Sequence, residues 1–248
     1  MRVLLSNDDG FGAAGIQALE KVCLKKGFET WVIAPDGERS GVSQALTHHA
    51  PIKLTKIDER HFKISGTPVD CVRIGRLEVL PFVPDFVLSG VNHGANLGSD
   101  VLYSGTAAVA RQAGLMGLKS IAFSLDKFGP SAADFDACAE YIYRELDRLM
   151  SLYNDGFFLN VNVPQGEIRG TVAAPLVDVK YDASFQAYHS GHCGSFYFPE
   201  SIREKEAPTP DSDWGWCSRG YATVTPVPLI PQDETELRRV ANLLGAKE

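Results

Sequence analysis

Val3-Leu4-Leu5-Ser6-Asn7-Asp8-Asp9-Gly10 is an apolar run that stops on two adjacent carboxylates and a glycine. A short continuous apolar run at this position predicts the first buried strand of a parallel sheet. In open α/β sheets the ligand crevice lies beyond the C-terminal ends of the strands. Asp8 and Asp9 therefore fall where chemistry is sited. Two carboxylates side by side repel unless positive charge sits between them, and a divalent cation with oxygen ligands supplies it.

A second motif overlaps the first. Gly10-Phe11-Gly12-Ala13-Ala14-Gly15 matches the dinucleotide fingerprint, after a strand and before a helical pattern. Asp36 follows the next apolar run, where a ribose-binding acid is expected. A nicotinamide-dependent oxidoreductase is thus the rival reading. A pyrophosphate on this loop would face Asp8 and Asp9, and like charges about 5 Å apart at an effective dielectric of about 20 repel by roughly 3 kcal/mol per pair. A bridging metal reverses that sign.

The chain of 248 residues fits one α/β domain, with residues 1–164 as core and 165–248 completing it and carrying an oligomerisation arm near 181–220. A net charge of −7 without a basic stripe argues against a nucleic-acid polymer as partner. No apolar stretch reaches membrane-spanning length, and the N-terminus lacks the pattern of a secretory signal. Cys23, Cys71, Cys138, Cys193 and Cys217 are scattered and form no C-x-x-C pair, so reduced thiols in a cytoplasmic protein are expected. His48-His49 and His189/His192 show no zinc-ligand spacing and read as surface or packing residues.

Strand and helix patterns alternate up to about residue 163. Residues 31–34 read as the second strand, and 52–57 with 61–65 as a hairpin turning at Asp58-Glu59-Arg60. Thr67-Pro68 starts a helix. Residues 85–89 form the third core strand, followed by a long glycine-rich loop. Ser104 opens a helix of small residues, 120–124 is a strand, 132–150 an amphipathic helix and 157–163 a further strand. Tyr181, Phe185, Tyr188, Phe196, Tyr197, Phe198, Trp214 and Trp216 then mark an irregular aromatic stretch. Such a stretch predicts an extended hairpin whose exposed aromatics meet a partner. Residues 221–227 give a last strand and 233–244 a C-terminal helix.

Three strand-end loops share small residues, oxygen donors and glycines: Ser6 to Gly10, Ala34 to Gly41, and Ser89 through Asn92 and Asn96 to Thr106. In a parallel sheet all three emerge on one edge. Asp, Ser and Asn oxygens suit Mg²⁺ or Mn²⁺. Ser104-Gly105-Thr106 at a helix start offers hydroxyls and backbone N–H groups to a phosphate. Singly, each loop is equally explained by capping and turn chemistry. Together with a carboxylate pair they point to a site.

The segments SNDDG, APDGERSG, GTPVDCV and SGVNHGANLGSDVLYSGT resemble, in order and spacing, the motifs of the stationary-phase survival protein (SurE) family, and the likeness returns at Asp211 to Trp214 and Gly220 to Pro226. The resemblance implies a Rossmann-like, mostly parallel sheet flanked by helices, with a C-terminal arm swapped between the subunits of a homodimer or tetramer. It implies a metal-dependent nucleotidase acting on nucleoside 5′- and 3′-monophosphates, and in some members on short polyphosphate. It assigns one divalent metal per subunit (Mg²⁺ or Mn²⁺) to Asp8, Asp9, Ser40 and Asn92, and the substrate phosphate to Asn96, Ser104, Gly105 and Thr106; Asp8 and Asp9 are further expected to be catalytic, one of them accepting a proton from the attacking water. The chain departs from the family pattern at Ala14, where proline is common, at Ala107, where valine is usual, and at Gln112-Ala113, which replaces a frequent Glu-Gly. Phe11, Arg39 and His93 lie near enough in sequence to be candidates for reading the base.

Overall fold

β1 (Arg2–Ser6) pairs in parallel with β2 (Glu29–Pro35) on one side and β5 (Phe86–His93) on the other. Its side chains alternate between two covered faces. Val3 and Leu5 pack under α1 (Ala14–Lys25) and α4 (Ala132–Ser151), while Leu4 packs under α2 (Pro68–Ile74) and α3 (Gly105–Leu115). Burial on both faces is why the strand reads as an unbroken apolar run.

The protein is described by a computed structural model for residues 1–179, 181–191, 194–204 and 209–244. The remaining strands are β3 (Leu54–Lys56), β4 (His61–Ile64), β6 (Ser120–Asp126), β7 (Phe157–Pro164), β8 (Gly170–Ala173), β9 (Tyr181–Ser190), β10 (Gly194–Glu204) and β11 (Tyr221–Pro228). Helices α5 (Asp213–Cys217) and α6 (Glu234–Leu244) complete the order. A nine-stranded sheet runs β3-β4-β2-β1-β5-β6-β7-β11-β8, parallel from β4 to β7, with β3 and β11 antiparallel to their neighbours β4 and β7. This is the expected α/β class. Among the described residues no helix is long and apolar enough to cross a membrane.

The helices start where the sequence caps them. Thr67 accepts from the Asp70 amide and Asp70 reaches back to the Thr67 amide, with Pro68 in the first turn. Ser131 and Asp134 repeat the capping box at α4, which buries Phe135, Cys138, Ile142, Leu146 and Leu149 along one face.

Two expectations are corrected, and one strand escapes the sequence reading. β5 does not end at Ser89 but continues through Gly90 to His93, with a register break against β6 between Ser89 and Asn92. That break brings Asn92 opposite Ser124. The aromatic stretch is not one arm: the antiparallel β9–β10 hairpin ends at Glu204, whereas Trp214 and Trp216 belong to α5, which packs on β11. Asp213 is buried because its carboxylate accepts from the Gly98 amide at 2.7 Å and the Val177 amide at 3.3 Å. Finally, β8 escapes prediction because its four partly exposed residues lack clear alternation.

In the hairpin, Phe185, Tyr188, Phe196, Tyr197 and Phe198 are each more than half exposed. α6 buries none of its residues, and Leu237, Leu243 and Leu244 lie open. His192 and Cys193 lie outside the described residues.

Candidate active site

Asp8 lies two residues past the end of β1 and is 3 % exposed. It abuts the start of α3. The Thr106 hydroxyl donates to Asp8 Oδ1, and the backbone N–H groups of Gly105 and Thr106 also bond to its carboxylate. Gly105 is required there: a Cβ would sit 2.6 Å from the Asp8 Cβ. Ser104 caps the helix by accepting from the Ala107 amide at 3.0 Å. The helix start thus grips a carboxylate at the place proposed for a phosphate.

Burial pushes the Asp8 carboxyl above its ordinary range despite those bonds. Asp9 is pushed up to about 7, first by burial, then by the charge of Asp8 and, more weakly, of Glu38. The His93 ring lies beside it, with Nδ1 3.9 Å from Oδ1, and the His93 amide also donates to it at 3.4 Å. The pair is held together against repulsion.

The second loop is stitched to the first. The Arg39 amide donates to the Asp8 carbonyl at 2.7 Å, and the Phe11 amide to the Pro35 carbonyl at 2.8 Å. Gly10 has φ +101° and faces Gly37, where a Cβ would come within 3.0 Å of the Gly37 carbonyl carbon. Ser40 is exposed and donates to Glu38 Oε1 at 2.9 Å. At the end of β5 Asn92 donates to the Gly94 carbonyl at 2.9 Å, leaving its Oδ1 3.5 Å from the Thr106 hydroxyl.

Asn96 is buried in an amide network that sequence reading missed. Its side chain donates to Ser124 Oγ, its amide donates to Asn162 Oδ1, and its carbonyl accepts from Asn160 and Asn162. The signal was present: Asn160 and Asn162 alternate within the apolar strand Phe157–Pro164, and buried amides need partners. Of the base-reading candidates, Arg39 pairs with Asp36 at 2.9 Å and Phe11 packs edge-on against His61, while His93 tilts over Phe135 beside Asp9. Gln112 accepts from Gln44 at 3.3 Å and so ties α3 to the loop after Ser40.

The donor set fits a hard divalent cation. Two buried carboxylates repel each other, and Asn92 Oδ1 lies against the same hydroxyl that meets Asp8. Among the described residues no group of three or more His, Cys, Asp or Glu could hold a metal, so a cation at this pair would take further ligands from neutral oxygens such as Asn92 Oδ1. The glycine fingerprint has another explanation here. Gly10 permits the turn onto Gly37, and Gly15 lets α1 lie on β5, where a Cβ would meet the Val91 carbonyl at 1.9 Å.

Fold and site together define a Rossmann-like α/β protein with an acidic, oxygen-donor centre at the C-terminal edge of its sheet. The family model described as survival protein SurE matches residues 3–183. The chain is 39 % identical over 249 residues to "5′-nucleotidase SurE" of Synechococcus elongatus, covering 92 % of this chain and 93 % of the relative. It is 36 % identical to the protein of the same name from Brucella anthropi, covering 92 % of each. The crystal structure of the SurE protein from Aquifex aeolicus superposes with a TM-score of 0.84 at 32 % identity, covering 98 % of this chain and 100 % of that one. The chain belongs to the SurE family.

Proposed function

We propose that the protein is a divalent-metal-dependent phosphatase that hydrolyses nucleoside 5′-monophosphates, and also 3′-monophosphates and short polyphosphate. The observation that carries this reading is the pair of buried Asp8 and partly buried Asp9, both carboxyls pushed up, with a neutral oxygen donor beside it and the N-terminus of α3 against it. Relatives at 36–39 % identity named 5′-nucleotidase support the substrate class.

Held by Asp8, Asp9, Ser40 and Asn92, Mg²⁺ or Mn²⁺ would neutralise phosphoryl charge and acidify a water. The protein's own groups do the rest. Thr106 and the first amides of α3 fix the orientation of the Asp8 carboxylate. Asp9, the less buried of the two, takes the proton from the attacking water. Ser104 Oγ accepts from Ala107, so its own proton is free for a phosphate oxygen. Asn96 gives one amide hydrogen to Ser124 and keeps the second for substrate. The α3 dipole adds favourable potential at the phosphate. A pyrophosphate on the Gly10 loop would instead face Asp8, Asp9 and Glu38, which disfavours the oxidoreductase reading.

The exposed aromatic hairpin supports assembly of a homodimer or tetramer through β9–β10, because an isolated two-stranded hairpin is marginal in water. Cys23, Cys71, Cys138 and Cys217 are free and buried, which supports a reducing, cytoplasmic setting.

Phosphate release from a panel of nucleoside monophosphates with Mn²⁺, Mg²⁺ or EDTA tests the reading. Release with either metal, falling by at least about 100-fold in EDTA, is expected. No metal-dependent release from any nucleotide overturns it.

A further inference from the structure

Past the ends of β6 and β7, the same sheet edge carries a cavity of about 730 Å³ that the chemistry at Asp8 does not use. Asp126, Lys127 and Phe128 line it from the connection between β6 and α4, Glu167 and Arg169 from the connection after β7, and Arg219 from the turn after α5. The strand order β1-β5-β6-β7 sets its separation from Asp8 at two to three strand spacings, roughly 10–14 Å at about 4.8 Å each. That is of the order of the reach from a nucleotide's phosphorus to the far edge of its base. Strand register relates the two places: Asn92 lies opposite Ser124 and Ser124 opposite Asn162, and Asp126 and Pro164 follow two residues on.

The lining is mixed in charge, and some of it is already committed. Lys127 is held by Asp134 at 2.7 Å. Arg219 donates to the Gly215 carbonyl at 3.0 Å and lies 4.0 Å over the Trp216 ring. The side chains of Arg169 and Glu167 have no hydrogen-bond or ion-pair partner among the described residues. Phe128 is fully exposed at the rim. Asp126 and Glu167 would repel a second phosphate. Free donors, free acceptors and an open aromatic face together suit a neutral heteroaromatic ring with polar edges, which stacks on an aromatic side chain and hydrogen-bonds at its rim.

We propose that this cavity receives the base and ribose of the nucleotide whose phosphate sits at Asp8 and Ser104, with Phe128 stacking on the base and Arg169 bonding to its edge. The assignment rests on the nucleotidase reading and adds the place where the nucleoside is held. Phe128 and Arg169 are specificity-determining residues and touch no reacting atom.

The test compares wild type, Phe128→Ala and Arg169→Ala on nucleoside 5′-monophosphates and on ribose 5-phosphate, which carries no base. Each substitution raises KM for the nucleotides about tenfold, while kcat/KM for ribose 5-phosphate changes less than twofold. Unchanged nucleotide KM in both variants, or an equal rise for both substrates, overturns the assignment. Quenching of tryptophan fluorescence by unphosphorylated nucleosides gives a reading that needs no hydrolysis. Quenching of wild type that weakens in Arg169→Ala supports the nucleoside site even if phosphate release fails, so the two readings fail separately. Absence of any competition by nucleosides overturns the base assignment.

Discussion

The strand-end site and the β9–β10 hairpin are built on opposite terms. Around Asp8, three loops distant in sequence are tied by backbone and side-chain bonds: Arg39 to the Asp8 carbonyl, Thr106 to its carboxylate, and Phe11 to Pro35. Apolar layers close both faces of the sheet beneath them. The hairpin has its partner strand and a row of exposed rings. The first region stores unfavourable electrostatics inside a frame rigid enough to hold it. The second leaves apolar surface to be covered from outside. One chain holds its candidate site by internal bonds and leaves an apolar hairpin surface open.

The contrast can be broken most sharply at Asp8. Asp8→Asn keeps an acceptor for Thr106 and the α3 amides but removes one of two repelling charges. Turnover should fall at least about 100-fold, while circular dichroism stays native. The metal-free melting temperature should be no lower than that of wild type, and the rise on adding Mn²⁺ should vanish. Near-normal turnover would remove Asp8 from the ligand set.

On the other side of the contrast, replacing residues 181–204 by a short linker should reduce the mass in light scattering to that of a monomer, with core helicity retained. An unchanged mass would show that the hairpin is not the assembly surface. The excision must stop before Thr209, because Asp213 belongs to the core. Asp213→Ala measures that boundary: it leaves the Gly98 and Val177 amides without their acceptor. It should cost about 2 kcal/mol, lowering the melting temperature by roughly 5 °C. A change within 1 °C, about the error of such a scan, would mean that water replaces the carboxylate fully.

Much of the frame was legible because local and global signals agreed. Apolar runs ending on Asp, Asn or Gly marked β1, β2 and the start of β5, and Thr67 and Ser104 marked helix starts. Composition alone marked the hairpin, but not its end. Trp214 and Trp216 look the same in sequence whether exposed or folded, and what decides is the carboxylate of Asp213 reaching an amide 115 residues away. β8 was hidden because its partner β11 lies some 50 residues on. The site loops were legible as oxygen-rich turns, yet their division of labour was not. That α3 turns its first amides to Asp8 follows from the approach of Gly105 to Asp8, which no local pattern encodes.

The seam at Gly98 has a wider consequence. Besides the bond from Gly98 to Asp213, Ser99 Oγ donates to the Val179 carbonyl at 3.0 Å and accepts from the Val179 amide at 3.1 Å. Residues 177–179 lead into the hairpin, and residues 98–104 lead into the α3 cap. Under the proposed assembly and phosphate site, free energy that a neighbour contributes by docking the hairpin would be linked through these bonds to the order of the α3 cap. By reciprocity, a ligand that ordered the cap would then tighten that assembly by the same amount.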